Sequence, residues 1–330
     1  MYNTVHRDND YTDSLKNFIR KEYNIDAVVI APANRGYYGE TWKLETSERS
    51  YFVKIDYSPR HQNVFRNSLP VMQYLCESGI DFIGTIIKTG DGRLYSDFNS
   101  AILGVFDWIE GENIETDETK TPEYQMLCKI YHLTKQGFDI PTIAFSDDMA
   151  TRFYEKWESL KTLPSNDAND KVKAILESNG DELLRRSTRL KHFASLCKSD
   201  TDDFYITHGD AGKNFFVAKN KNYIVDWDEV MYAPLEHDAW EMGCRDWARK
   251  LFNDTLKENN INYELRLERL AFYCYHMYFY FLDEFLDEFL DELLDEFLGD
   301  FMLHGIVSSI EEYFDDSDFM VERIQFADTI

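Results

Sequence analysis

Apolar residues recur at two different periods along this chain, and the change of period divides it. Leu15, Phe18, Ile19 and Tyr23 stand three or four apart, which predicts a helix over 10–23. Apolar runs at 27–30, 51–55, 82–87 and 101–106 are too short for helices and predict strands, with a turn near 90–92. With the alternating segment that enters Trp42, they make an N-terminal sheet of about five strands. One helix is expected to interrupt them over about 61–78, and Pro70 within it predicts a break or kink.

Beyond Thr121 the helical period takes over. Tyr124, Leu127, Cys128, Tyr131 and His132 share one face, which places His132 as a hydrogen-bonded core residue. A charge-rich region over 165–203 holds one or two helices, with Val172, Ile175, Leu176, Leu183, Leu184 and Leu190 as apolar positions. A further helix runs through Trp240, Met242 and Trp247, and a last one spans 265–298. Its residues 270–280 are apolar almost all round, which suits a buried helix. Phe-Leu-Asp-Glu then repeats nearly four times over 281–296. A four-residue repeat on a helix of 3.6 residues per turn shifts its apolar stripe by about 40° each time, so this is one amphipathic helix. Its carboxylates are either a solvated face or a surface that draws an ammonium-rich ligand, with Asp283 and Glu284 nearest the buried part.

Composition narrows the function. The 330 residues, 44% hydrophobic and 15% aromatic, suffice for a full core and two lobes and exclude wholesale disorder. Against 35 Lys and Arg stand 61 Asp and Glu, a net charge of −26. Such a surface repels phosphate backbones, so no nucleic acid partner is expected; it draws in a cationic small molecule or simply serves solubility. Five cysteines without a Cys-x-x-Cys pair read as reduced, mostly buried thiols. Residues 1–8 lack the apolar core of a signal peptide, and no uncharged stretch approaches membrane-spanning length. A cytoplasmic protein with no membrane partner is expected.

Candidate chemistry concentrates between 204 and 229. An apolar run leads to His208-Gly209-Asp210, Asn214 follows, a second strand-like run begins at Phe215, and a third ends at Asp226. Asp210, Asn214 and Asp226 are thus delivered toward one place, either as a polar turn between core strands or as a phosphoryl-transfer site. In the second reading one carboxylate orients an attacking hydroxyl, while an amide and another carboxylate hold magnesium. Lys54 lies inside a short apolar strand, where it meets a negative partner or reaches out to water.

His208-Gly209-Asp210, Asn214 and Asp226-Trp227-Asp228 in this order resemble the catalytic and metal-binding segments of the aminoglycoside phosphotransferase and choline kinase superfamily. With Ala233-Pro234 and Glu236-His237-Asp238 behind it, the stretch 223–229 is most similar to the spectinomycin phosphotransferases. The resemblance implies an α+β, bilobal protein-kinase-like fold. An N-terminal antiparallel β-sheet lobe would occupy 1–107, a hinge 108–114, and a larger, mostly helical C-terminal lobe 115–330. It implies a Mg2+-dependent kinase that moves the γ-phosphate of ATP or GTP to a hydroxyl of an aminoglycoside or aminocyclitol antibiotic. Choline, another amino alcohol or a sugar such as methylthioribose are alternative acceptors, and a non-catalytic nucleotide-binding pseudokinase is the alternative of another class.

Carried over residue by residue, Asp210 takes the hydroxyl proton, Asn214 and Asp226 hold metal, and Lys54 holds nucleotide phosphates. Gly36 and Gly39 belong to a hairpin over the nucleotide or to an ordinary turn. Trp108 stacks on the base or packs between lobes. His208, Asp228 and Asp238 take supporting roles, Asp238 bracing the catalytic loop or capping its helix. Glu236, Asp283 and Glu284 would face the cationic acceptor, and His237 is expected at the surface. Two departures stand out. Asn214 follows Asp210 by four residues where the family usually has five, and the helix over 61–78 has no acidic residue before Glu77 to pair with Lys54.

Overall fold

Helix α1 (Asn9–Tyr23) is the first element of the chain among the described residues. The Asp8 carboxylate caps it by accepting the Tyr11 N–H at 2.8 Å, and Asn24 ends it in the left-handed conformation at φ 57°. A computed structural model describes residues 7–33, 39–199, 203–294, 300–314 and 320–330. Two compact units emerge from the contacts: Met1–Thr142 with Tyr205–Tyr232, and Ile143–Phe204 with Ala233–Ile330.

In the first unit, β1 (Val29–Pro32), β2 (Gly39–Glu45), β3 (Ser50–Asp56), β4 (Ile86–Ile87), β5 (Ser96–Phe98) and β6 (Ala101–Asp107) form one antiparallel sheet. Its order is β1-β2-β3-β6-β4, with β5 paired to β6. The expected run over 82–87 contributes only two strand residues, because Phe82 and Ile83 are buried ahead of the pairing. Strand β5 went unforeseen: three residues with an aspartate at their centre carry no apolar run, and the tight turn at Asn99 and Ser100, both at positive φ, creates the hairpin.

Alternation along the strands sends Trp42, Leu44, Val53, Ile55, Leu103 and Val105 to one face, where Leu15, Ile19 and Tyr23 of α1 cover them. Gly39 is obligatory in β2, since a Cβ there would sit 2.4 Å from the Ile55 carbonyl oxygen. Helix α2 (Pro59–Glu77) runs through Pro70 without ending, its exposed position leaving the lost hydrogen bond on the solvent side.

The rest of this unit includes β7 (Gly111–Asn113), α3 (Lys120–Tyr131), β8 (Tyr205–Thr207), β9 (Phe215–Ala218) and β10 (Lys221–Ile224), with β11 (Met231–Ala233) at its end. Strands β10, β9 and β7 form a three-stranded sheet, and β11 pairs with β8. Part of the expected connector after Asp107 is therefore a strand. His132 directly follows α3 and is exposed, not in the core.

The second unit is helical: α4 (Asp148–Lys161), α5 (Asp167–Ser178), α6 (Gly180–Cys197), α7 (Glu236–Gly243), α8 (Asp246–Glu258), α9 (Leu267–Leu294), α10 (Asp300–Phe314) and α11 (Met320–Asp328). Helices α4, α6, α7, α10 and α11 all pack on α9, which explains why its start is apolar all round: Leu270 through Tyr275, Tyr278 and Phe279 are buried. The charge-rich region resolves into α5 and α6, with Val172, Leu176, Leu183 and Leu190 buried and Leu184 exposed. The single helix expected through Trp247 is two, since the chain is extended at Arg245 (φ −91°, ψ 125°). Residues 295–298 of the expected last helix lie outside the described residues. Among the described residues no helix is long and apolar enough to cross a membrane. All five cysteines are free thiols.

Candidate active site

Lys54 sits at the centre of β3, paired with Thr41 of β2 and Gly104 of β6. Its neighbours Val53 and Ile55 point into the α1 core, so alternation turns Lys54 to the opposite face. There Phe65 of α2 lies against it, with the ammonium 5.4 Å from the ring centroid. Gly104 makes the room: a Cβ at that position would lie 2.8 Å from the tip of the Phe65 ring.

The loop from β8 to β9 is built around His208, which is fully buried. Its Nδ1 accepts the Asp210 N–H at 3.3 Å, so its Nε2 carries the proton and donates to the Val225 carbonyl at 3.0 Å. Burial pushes its pKa down to about 4, against the pull of that carbonyl and of Asp226, so the ring is neutral at pH 7. Gly209, at φ 90°, turns the chain so that Asp210 follows. The Asn214 amide donates to the Asp210 carbonyl at 2.9 Å and to its Oδ2 at 3.1 Å, and the Asn214 carbonyl accepts the Val225 N–H at 3.1 Å.

Val225 therefore ties the first loop to the second. Trp227 turns inward, donating its indole N–H to the Ile224 carbonyl at 3.0 Å and meeting His208 edge-on at 4.7 Å. Asp226, in the left-handed conformation at φ 59°, and Asp228 turn the other way. Both reach Lys54: its ammonium donates to Asp226 Oδ1 at 2.8 Å and to Asp228 Oδ2 at 2.7 Å. Lys54 is 14% exposed, Asp228 20% and Asp226 50%. Burial would lower the lysine pKa, but the Asp226 and Asp228 charges more than offset it and raise it. The Lys54 ammonium in turn holds Asp226 below the usual carboxylate range. Asp228 is raised by burial, which Lys54 offsets only in part.

Asp56 was not expected here. It lies two residues beyond Lys54 on β3, is buried, accepts the Ser58 N–H at 2.9 Å, and is pushed up to about 6 by burial. The even spacing from Lys54 was a signal that could have found it. Gly39 pairs with Asp56 across β2 and β3, while Gly36 lies outside the described residues. Trp108 has partners within the first unit: its indole donates to Glu110 at 2.7 Å, its ring packs on Phe52, and the Lys43 ammonium lies 4.8 Å from it.

The residues expected to face an acceptor are arranged otherwise. Glu236 is fully buried, accepting from the Tyr263 hydroxyl and from the Arg266 N–H at 2.7 Å, with the Arg269 guanidinium 3.7 Å away. Its carboxylate ties α7 to the segment that leads into α9 and, through Arg269, to α9 itself. His237, expected at the surface, is buried beside Tyr273. Asp238 is buried in the first turn of α7, with Leu235 at the capping position. Asp283 and Glu284 are buried as well. Asp283 meets Arg152 and Lys156 at 2.6 Å each, and Lys156 also meets Asp287 at 2.6 Å. The carboxylates of Asp283, Glu284 and Asp287 come within 4.8 Å of one another, close enough to share a cation, but α4 has supplied the cations already. Around Asp283 to Asp287 the expected solvated acidic face is thus an ion-paired seam, while its side chains from 291 to 296 lie outside the described residues. Helical period alone could not reveal this, because it does not report the basic residues of a facing helix.

Comparison with known proteins places this geometry. A model described as the phosphotransferase enzyme family matches residues 29–273, a span that takes in Lys54, the His208–Asn214 loop and Asp226 to Asp228. The chain belongs to the phosphotransferase enzyme family. Solved structures similar to this phosphotransferase include spectinomycin phosphotransferase in complex with ADP and spectinomycin. That structure matches with a TM-score of 0.76 at 17% identity, covering 95% of this chain and 98% of the other. A microcompartment-associated aminopropanol kinase matches at 0.62 and 11% identity, covering 96% of each chain. Amicoumacin kinase in complex with AMP-PNP and Ca2+ matches at 0.58 and 12%, covering 95% of each. At these identities the likeness is one of fold: the α+β kinase-like arrangement, with an antiparallel sheet in the N-terminal region and helices in the C-terminal region.

Proposed function

We propose that this phosphotransferase moves the γ-phosphoryl group of ATP or GTP to a hydroxyl of a small cationic acceptor, an aminoglycoside or aminocyclitol antibiotic. The observation that carries this reading is the double tie at Val225. It locks the loop bearing Asp210 and Asn214 to the loop bearing Asp226 and Asp228, and the latter meets Lys54. Supporting the acceptor class are the net charge of −26 and the fold shared with spectinomycin phosphotransferase and an aminopropanol kinase. Asp283 does not add to that support, since its charge is matched internally.

In this reading Asp210 orients the acceptor hydroxyl and takes its proton. Lys54 neutralises phosphate charge. The donor set suits magnesium, a hard cation that binds oxygen: Asp226 presents a half-exposed carboxylate, and Asn214 would offer its amide oxygen. Asn214 and Asp226 would hold the ion, which would supply charge neutralisation for the nucleotide phosphates. The neutral His208 keeps the Asp210 backbone in place without adding a charge. We place the protein in the cytoplasm, working without nucleic acid or membrane.

The test is transfer of labelled phosphate from ATP and from GTP, with Mg2+, across aminoglycosides, aminocyclitols, amino alcohols and methylthioribose. Transfer to an aminocyclitol or aminoglycoside is expected. Transfer confined to choline, another amino alcohol or the sugar would overturn the acceptor class alone. No transfer to any acceptor, together with no nucleotide hydrolysis, would overturn the kinase reading.

A further inference from the structure

A lysine that must present its ammonium to phosphates has four side-chain torsions to hold, and holding them costs rotamer entropy. In protein kinases a glutamate from the adjacent helix does the holding. Here α2 cannot, because its acidic residue, Glu77, lies in the last turn and accepts from Gln73 at 2.5 Å. The face α2 turns to Lys54 carries Phe65 instead, and Gly104 opposite Lys54 keeps space for that ring.

The anion comes from the other side. Two carboxylates hold the one ammonium, and they differ in setting: Asp226 is half exposed, whereas Asp228, beyond the buried Trp227, is much more enclosed. An exposed carboxylate can turn to a cation arriving from solvent, and the enclosed one has the less screened hold on Lys54. Resting on the kinase reading above, we infer that Asp228 is the positioning residue for Lys54, standing in for the missing helix glutamate and keeping the lysine when Asp226 serves the metal.

Two measurements test this without any acceptor. In EDTA, the rate at which an amine-reactive acetylating reagent modifies Lys54, read by mass spectrometry, should rise several-fold more in Asp228→Asn than in Asp226→Asn. An equal or smaller rise would overturn the assignment. Calorimetric binding of Mg·ATP then gives a double-mutant cycle. Asp228→Asn and Lys54→Met should each weaken binding about tenfold, and the double variant should be no weaker than Lys54→Met, where independent effects would multiply to about a hundredfold.

The Mg2+ concentration for half-saturation should stay within about twofold in Asp228→Asn and rise about tenfold or more in Asp226→Asn. Phe65→Glu, which returns a carboxylate to α2, should restore affinity to Asp228→Asn; if that combination does not fold, the cycle decides alone. Additive losses, or a tenfold shift of the Mg2+ requirement in Asp228→Asn, would make Asp228 a metal ligand and overturn the proposal. Coupled binding without transfer to any acceptor would count against the kinase reading and leave this one standing. A wild type that does not bind Mg·ATP would overturn both.

Discussion

Each unit of this protein holds a lysine shared by two aspartates. Lys54 bridges Asp226 and Asp228 in the first, and Lys156 bridges Asp283 and Asp287 in the second. The contacts are alike in length, but the settings are not. In the helical unit Arg152 adds a second cation, Asp283 is fully buried, and all the partners stand on the continuous helices α4 and α9. In the first unit two carboxylates face one ammonium, Asp56 adds a third carboxyl, buried on the strand of Lys54, and Asp226 is half exposed on a left-handed residue. Two cations among three carboxylates, all on rigid helices, hold a scaffold together. In the first unit the carboxylates at the strand end stand on a loop and Asp226 is open to solvent, where a further cation can reach it.

The sharpest way to break the comparison is at Asp210, which bears on the first group alone. Asp210→Asn should cut phosphate transfer by roughly 100- to 10,000-fold while Mg·ATP binding and the urea midpoint hold. A variant that keeps its activity would remove Asp210 from the chemistry. Asp283→Asn should do the opposite. Leaving Arg152 and Lys156 short of a buried partner should cost about 2–4 kcal/mol in urea unfolding, with transfer per folded molecule unchanged. Loss of activity without loss of stability there would return Asp283 to the acceptor site.

Protonation gives a smaller test. His276 in α9 is held down to about 4 by burial, with Asp148 acting against that shift and Arg152 with it. Its pKa in the unfolded chain is about 6.5, so between those values the unfolded state binds more protons. The stability it contributes is therefore present above about pH 6.5 and lost as pH falls toward 4. Between pH 7 and 5 the wild type should lose about 2 kcal/mol more than His276→Phe. Asp56, raised to about 6, and His208, lowered to about 4, are present in both proteins and cancel in the difference. Equal losses would show that His276 is not held neutral. Comparable in size is Gly104→Ala, expected to cost about 1–3 kcal/mol as the new methyl meets Phe65. Nucleotide affinity should fall with it, because Phe65 backs Lys54; unchanged affinity would separate the ring from the lysine.

What could be read directly from the residues was whatever depends on near neighbours in the chain. Helical spacing located α1 and α9 and put one or two helices where α5 and α6 lie, short apolar runs located β3 and β6, and the ordered set His208, Asp210, Asn214 and Asp226 pointed to the chemistry. What escaped depends on partners distant in sequence. Strand β7 exists because β9 lies beside it, and β5 because its turn folds it onto β6. Glu236 and Asp283 looked like ligand-facing acids because Arg269, Arg152 and Lys156 are brought to them only by packing on α9.

The sequence by itself determined the sheet-forming and helix-forming regions and the kit of a phosphotransferase, since periodicity and motif order are local properties. Only the tertiary structure decided which carboxylates are enclosed among cations and which stay open to solvent, because a charge is neutralised by whatever stands within a few ångströms, wherever it lies along the chain.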